Sequence, residues 1–331
     1  MTDLVSVALV TRDGMATLPA LLDGVCGQRT GARLEIVAVD SGSADGSREL
    51  LAQRADRLLD IAPRSFNHGL TRNLAIEHCR GELVVLLVQD AVPASPDWLE
   101  ELIAPLVADP TVAGSFARQR ARAGADRLER WNLERWVAAG DEPRIRRIPH
   151  AAAWSEMTPM ERLDAAAFDN VCSSIRRSVW RRCPFSPASF AEDLEWGRDV
   201  LLAGYGLAYA PAAVVVHSHR RSLSYELERT TQAHHRLGEL FALRTVPTLR
   251  HLLRALVLTA VEHLRVVRQG GHRPGPRELG RALGLAVVWP LGQYLGGRAA
   301  RSSSEPRPRG SSQRGVLGPP PSDSSSLRTR R

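Results

Sequence analysis

The run Leu83–Val88, LVVLLV, has neither a polar residue nor any apolar–polar alternation. A strand of that kind must be covered on both faces, as strands are in a sheet sandwiched between helices. The chain around it supplies the partners. Short apolar runs at Leu4–Thr11, Leu34–Asp40, 57–62, Glu82–Val88 and Thr111–Ala117 predict strands. Helical patterns at about 15–28, 45–54, 69–79 and 96–108 fall between them. Before the last of these, Ser95-Pro96-Asp97 offers an N-cap, a proline for the first helical position and an acid for the first turn. Repeated βα units of this kind predict a Rossmann-like open α/β sheet, parallel, with helices on both faces.

Beyond Ala117 the pattern changes. Residues 118–165 are rich in Arg and Trp without clean periodicity; Asp126–Ala138 reads as a helix and the rest as loop over a cleft. An extended piece at 168–175, helices near 177–182 and 191–203, and a strand at 212–217 follow. Three helices are expected at 225–243, 247–268 and 276–296, the last two apolar with arginines at their ends. From Arg298 the chain is Ser/Pro/Arg-rich, a composition expected to be disordered.

Charge narrows the function. The chain carries +8, but residues 298–331 hold eight arginines against two acids, and residues 1–297 keep only +2. A nucleic-acid partner is therefore not expected. All 44 basic residues are arginine, so a lysine-dependent P-loop is excluded, and neither GxGxxG nor GxSxG occurs. Cys26, Cys79, Cys172 and Cys183 form no CxxC pair and read as reduced, packed thiols. No signal peptide is read at the N-terminus, and no stretch reaches the roughly 18–20 apolar residues of a spanning helix. The expected location is cytoplasmic.

Open α/β sheets bind ligands beyond the carboxyl ends of their strands. Four polar clusters fall there: Thr11-Arg12-Asp13, Asp40-Ser41-Gly42-Ser43, Gln89-Asp90-Ala91 and His217-Ser218-His219. Asp40 suits an Asx turn or a contact to a nucleotide base or ribose equally well. Asp90, at the mouth of the buried strand, suits a hard divalent cation that also takes phosphate oxygens, or a simple loop cap. His217 is its candidate partner, because imidazole joins carboxylate in Mn²⁺-type sites, and His219 competes with it. Glu192 and Asp193, with Glu195-Trp196, open a predicted helix. They complement its dipole or present a general base to the cleft.

Six segments in order, VDSGSADGS (39–47), FNHGLTRNLA (66–75), LLVQDAVP (86–93), FDNVCSSIRRSVW (168–180), FAEDLEW (190–196) and VVHSH (215–219), resemble glycosyltransferase family 2, and most closely its bacterial rhamnosyltransferase-like branch. The resemblance covers roughly residues 4–222. It implies the GT-A fold, with a nucleotide-sugar half and an acceptor half on one continuous sheet. Matched position by position, it places Thr11 and Asp40 around the nucleoside, and Arg72 and Asn73 near the donor's phosphates or sugar. It makes Asp90 and His217 the ligands of Mg²⁺ or Mn²⁺ on the diphosphate and Asp193 the catalytic base, with Glu192 and Trp196 on the acceptor side. The usual DxD stands here as Gln89-Asp90-Ala91, a form common in that branch.

The implied activity is inverting, metal-dependent transfer of a sugar, L-rhamnose from dTDP-L-rhamnose, to a polysaccharide or lipid-linked glycan. Two alternatives are a nucleotidyltransferase, which needs a glycine-rich basic loop where TRDGMATLP stands, and a non-catalytic sugar-nucleotide-binding protein. The expected organisation is a GT-A domain over 1–222, divided near 117/118, a helical extension over 223–297 and the tail over 298–331. In the extension, either the helices pack on the domain, or their apolar faces enter a membrane surface while arginines meet anionic lipid.

Overall fold

A computed structural model describes residues 3–304 except Ser189 and His272, and only the backbone of 301–304. The tail expected over 298–331 thus falls outside the described residues from 305 onward. Its first part does not begin where the composition changes: the last helix continues through Ser304.

The nine strands among the described residues are β1 (Leu4–Thr11), β2 (Arg33–Asp40), β3 (Arg57–Asp60), β4 (Leu83–Val88), β5 (Val92–Pro93), β6 (Val112–Arg120), β7 (Arg144–Arg146), β8 (Cys172–Arg176) and β9 (Gly206–Val216). All join one sheet of order β3-β2-β1-β4-β8-β6-β9-β5, with β7 paired on β9. The helices of the sheet region are α1 (Leu18–Cys26), α2 (Ser47–Arg54), α3 (His68–Glu77), α4 (Trp98–Ala108), α5 (Arg127–Glu134), α6 (Ala153–Glu156), α7 (Pro159–Ala166), α8 (Arg177–Trp180) and α9 (Glu192–Leu202). Three more follow: α10 (Leu223–Phe241), α11 (Leu249–Val267) and α12 (Pro276–Ser304).

The fully apolar strand sits where its composition demands. Leu83, Val85 and Leu87 of β4 face one core with Leu9, Leu22, Trp98 and Leu102. Val84 and Leu86 face the other, with Ile76, Phe116, Phe168 and Trp196. Both faces are therefore dry, and the period-2 geometry of a strand assigns alternate residues to each.

The expectation of a parallel sheet holds only for its first half. The β1–β2, β2–β3 and β1–β4 pairs are parallel. Strand β8 then runs antiparallel to both β4 and β6, while β6 and β9 are parallel. The order reverses between β1 and β4, so the carboxyl ends of these two strands border the crevice at a switch point. The strand expected over 212–217 is the second half of a longer one, because Gly206–Ala210 pair with β6 across a register shift. Strands β5 and β7 and helices α6 and α7 lie in stretches without readable periodicity. The cap before α4 also differs: Asp97, not Ser95, precedes the helix, and its carboxylate pairs with Arg29 instead of closing on the backbone.

The C-terminal helices pack on the domain. Helix α12 lies against α10, where a Cβ at Gly296 would stand 2.3 Å from Thr231 O and one at Gly292 2.8 Å from Thr230 Cβ. The glycines of the LGLAVVWPLGQYLGG stretch thus serve close helix contact. A small third core unites Leu128 of α5, Val266 and Val267 of α11, and Ala282 and Leu285 of α12. Among the described residues no helix is long and apolar enough to cross a membrane.

Candidate active site

The first polar cluster closes on itself. Thr11 and Asp40 are register partners at the ends of β1 and β2, and each is 1% exposed. The Asp40 carboxylate accepts from the backbone N–H groups of Gly42 and Ser43, both at 2.9 Å, and from the Ser43 hydroxyl. This is the Asx turn. Gly42 needs its left-handed φ of 85° there, and a Cβ would meet Pro63 at 2.6 Å. The Thr11 hydroxyl is buried without a partner among the described residues.

Gln89, in the place of the first DxD acid, joins two loops. Its Oε1 accepts from Arg12 N at 2.6 Å and its Nε2 donates to Arg12 O at 2.8 Å. A carboxylate could accept the first bond but could not donate the second. The glutamine therefore fixes the β1 loop to the loop that carries Asp90.

Asp90 meets both histidines of the HSH segment. Its Oδ1 lies 3.6 Å from His217 Nε2 and its Oδ2 3.2 Å from His219 Nε2. One ligand atom from each of the three residues falls within 4.8 Å of the others, the geometry of a candidate cation site. His217 Nδ1 pairs with Gln119 Oε1 at 2.8 Å, while Gln119 Nε2 donates to Asp169 Oδ2 at 2.7 Å. The amide orientation follows from the carboxylate it faces, and it assigns the proton to His217 Nδ1. The Nε2 lone pair is then turned toward Asp90, as a metal ligand requires. Burial, then His219 and the nearby Arg221 and Arg122, push the His217 imidazole down to about 3. Burial likewise lowers His219, against the pull of Asp90. Both rings are neutral at physiological pH, and the two Nε2 atoms stand 2.9 Å apart. The residues fit a divalent cation, and they include His219 as well as Asp90 and His217.

A second charged group surrounds the N-terminus of α9. Ala191, at φ 55°, takes the left-handed conformation that a Cβ disfavours, and so turns Glu192 and Asp193 inward. Glu192 is buried and pairs with Arg72 Nη1 at 2.6 Å. Burial alone would raise the Glu192 carboxyl; Arg72, His68 and the amide of Asn170 outweigh it and hold it low. Among the described residues Asp193 forms no ion pair, and the pull of Arg72 on it is outweighed. Desolvation, then the charges of Glu192 and Asp169, push its carboxyl up to about 8. Its Oδ2 accepts a long bond of 3.4 Å from Asn170 N.

Asp169 and Asn170 join the two groups. Asp169 accepts from Gln119, from Trp136 Nε1 at 2.6 Å and from Val171 N. Asn170 touches both Glu192 and Asp193. The positions quoted from the sequence thus divide. Asp90 and His217 meet, and Arg72, Glu192 and Asp193 meet. Asn73 and Trp196 do not join them. Asn73 ties down the 180s loop, donating to Phe185 O and accepting from Phe185 N and Trp180 Nε1. Trp196 is a 1%-exposed core residue against Phe168 and Phe185, with Nε1 bonded to Cys183 O, so it presents nothing to an acceptor. Glu192 is likewise held in its ion pair rather than turned to the acceptor side.

Gln119, Asp169, Asn170 and the arginines 122, 221 and 229 were not singled out in the sequence. The DN pair within FDNVCSS, two polar residues just ahead of a buried strand, was the available signal for two of them.

Residues 6–179 match glycosyl transferase family 2, and the chain belongs to that family. It is 27% identical over 209 residues to the O-antigen chain rhamnosyltransferase WbaN of Salmonella anatum, covering 61% of this chain and 62% of that protein. It is 26% identical to the O-antigen chain rhamnosyltransferase RfbN of Salmonella typhimurium, covering 68% and 69%. The chain thus spans somewhat less than two thirds of WbaN. Among solved structures it resembles the mannosyltransferase PcManGT of Pyrobaculum calidifontis, in complex with GDP-Man and Mn²⁺, at TM-score 0.51 and 21% identity, over 92% of this chain and 76% of that one. Glucosyl-3-phosphoglycerate synthase of Mycobacterium tuberculosis, with Mg²⁺ and UDP, matches at TM-score 0.51 and 17% identity, over 73% and 80%. These neighbours share the GT-A fold with the chain.

Proposed function

We propose that the chain is a divalent-cation-dependent, inverting glycosyltransferase that moves L-rhamnose from dTDP-L-rhamnose to a polysaccharide or lipid-linked glycan. The observation that carries this reading is the pairing of a three-ligand cluster, Asp90, His217 and His219, with a base-range carboxyl at Asp193, joined through Asp169 and Asn170. The rhamnosyl donor is supported by the two named rhamnosyltransferases among its relatives.

Bound at that cluster, Mg²⁺ or Mn²⁺ would supply positive charge against the leaving nucleoside diphosphate. Gln119 keeps His217 Nε2 directed there. Arg122, Arg221 and Arg229, whose charges all reach His217, add positive potential for the diphosphate. Thr11 and the turn built on Asp40 shape the nucleoside end of the crevice. On the acceptor side the Asp193 carboxylate takes the proton of the attacking hydroxyl. That oxygen bonds to the anomeric carbon as the carbon–diphosphate oxygen bond breaks, with inversion and no enzyme-linked intermediate. A positioned base of this kind contributes ~10²–10⁴ in rate.

In this reading residues 1–117 hold the nucleoside end of the donor, 118–222 hold the acceptor and supply His217, His219 and arginines toward the diphosphate, and the helical extension seats the enzyme at the inner face of a membrane. The test is a panel of nucleotide sugars incubated with purified protein and Mn²⁺, read as nucleoside diphosphate release. Release is expected from dTDP-L-rhamnose and not with EDTA present. Release from a different donor would correct the sugar, and release from none would overturn the reading.

A further inference from the structure

Helix α11 turns one apolar face to solvent. Leu249, Leu253, Val257 and Val261 repeat every four residues, and with Leu258 each is at least 55% exposed. Single exposed apolar residues are ordinary, but a contiguous row marks an interaction surface. Arg250, Arg254, Arg265 and Arg268 are exposed at the two ends of the row. The one acid of the helix, Glu262, lies 3.9 Å from Arg135. An apolar middle between cationic ends complements an anionic bilayer surface.

A cavity of about 480 Å³ lies where α5, the C-terminal end of α11 and the start of α12 meet. Val267, the last residue of α11, lines it, and so do Arg127, Arg130, Arg220, Arg277 and Arg281. Against these five guanidinium groups stand two carboxylates, Asp126 and Glu278. Asp126 is already engaged, as the cap of α5 and as partner of Arg281 at 3.2 Å. Two of the guanidinium groups are oriented by backbone carbonyls: Arg127 donates to Gln269 O and Arg281 to Arg221 O. Positively charged forks held in place around a cavity match the geometry of a phosphate group. Arg220, which lines the cavity, directly follows His219 of the candidate cation cluster, and the cavity shares none of that cluster's three residues.

We infer that this cavity receives the phosphate or diphosphate group of a membrane lipid whose chain lies along the apolar face of α11. The lipid's role as the acceptor anchor rests on the transferase reading; its binding does not.

The probes are phosphatidylcholine vesicles alone, the same vesicles carrying a polyprenyl phosphate, and free inorganic pyrophosphate. Flotation should recruit the wild type to the polyprenyl phosphate vesicles above the neutral ones. R127A/R277A should lose that phosphate-dependent part by at least about tenfold, as removal of charge-assisted contacts does. L253Q/V257Q/V261Q should lose binding to both kinds of vesicle. Both variants should keep nucleoside diphosphate release from the donor without acceptor, which separates a failure here from a failure of the transferase reading. Phosphate-dependent recruitment unchanged in R127A/R277A would overturn the inference. So would pyrophosphate binding to the wild type without any recruitment to phosphate-bearing vesicles.

Discussion

At the carboxyl ends of β1 and β2 the polar side chains close on the loops beside them. Asp40 caps its own turn, Asp13 accepts from Ala44 N, Asp45 from Met15 N and Ser47, and Gln89 makes both of its bonds to Arg12. At the ends of β8 and β9 the polar groups are just as enclosed but not balanced. Asp193 and Asp169 are raised by burial, and His217 and His219 are lowered by it. The first region is a frame whose carboxylates are already satisfied by local hydrogen bonds. The second holds ionisable groups whose pKa values burial has shifted away from their ordinary range, which is where chemistry is expected.

That contrast can be broken at several points, the largest effect being at the cation cluster. EDTA, or Asp90→Ala, should reduce sugar transfer to background, with His217→Ala and His219→Ala each weakening Mn²⁺ binding. Full activity in chelator would remove the cation from the account. Next comes the support behind the second region. Trp196→Ala should cost ~3–5 kcal/mol in a denaturant titration, as loss of a buried aromatic does. A cost below ~1 kcal/mol would mean that Trp196 is not the core residue its burial indicates.

Gln119→Leu tests the orientation of His217 and should weaken Mn²⁺ affinity by about 10–100-fold with the fold intact. Calorimetric titration would measure it. The smallest effect is on the pH profile. As the proposed base, Asp193 would act only when ionised, so kcat/KM should rise with pH through a limb near 8. Glu192→Gln removes a negative neighbour and frees Arg72, and both changes favour ionised Asp193. The limb should therefore move to lower pH, and a limb that stays or rises would contradict the assignment. A carboxyl raised in the folded state also costs stability as pH climbs from the ordinary carboxylate range through about 8. Relief of that cost at Asp193→Asn should be greater at pH 9 than at pH 5.

The two regions also differed in how far they could be read from sequence. In the first, local pattern and tertiary structure agree. Strand β1 spans Leu4–Thr11 as expected, and the LVVLLV run is buried on both faces. In the second, pairing across the sheet decides what propensity cannot. Gly206–Ala210 becomes strand only because β6 lies beside it, and β7 is three residues held on β9. The site followed the same division. Asp90, His217 and Asp193 stood out because strand and helix ends expose them to inspection. Gln119 and Asp169 are 50 residues apart and meet only in the folded sheet. Trp196, next to the acids of α9, was misplaced because sequence proximity says nothing about which side of a helix faces the core.

In the proposed mechanism Asp193 moves the proton while a separate cluster holds the cation. The most direct test of that claim measures nucleoside diphosphate release and Mn²⁺ affinity on the same preparation of Asp193→Asn. Release in the presence of acceptor should fall by ~10²–10⁴ while Mn²⁺ affinity stays at the wild-type value. Release near the wild-type rate would contradict the claim and move the base to another carboxylate.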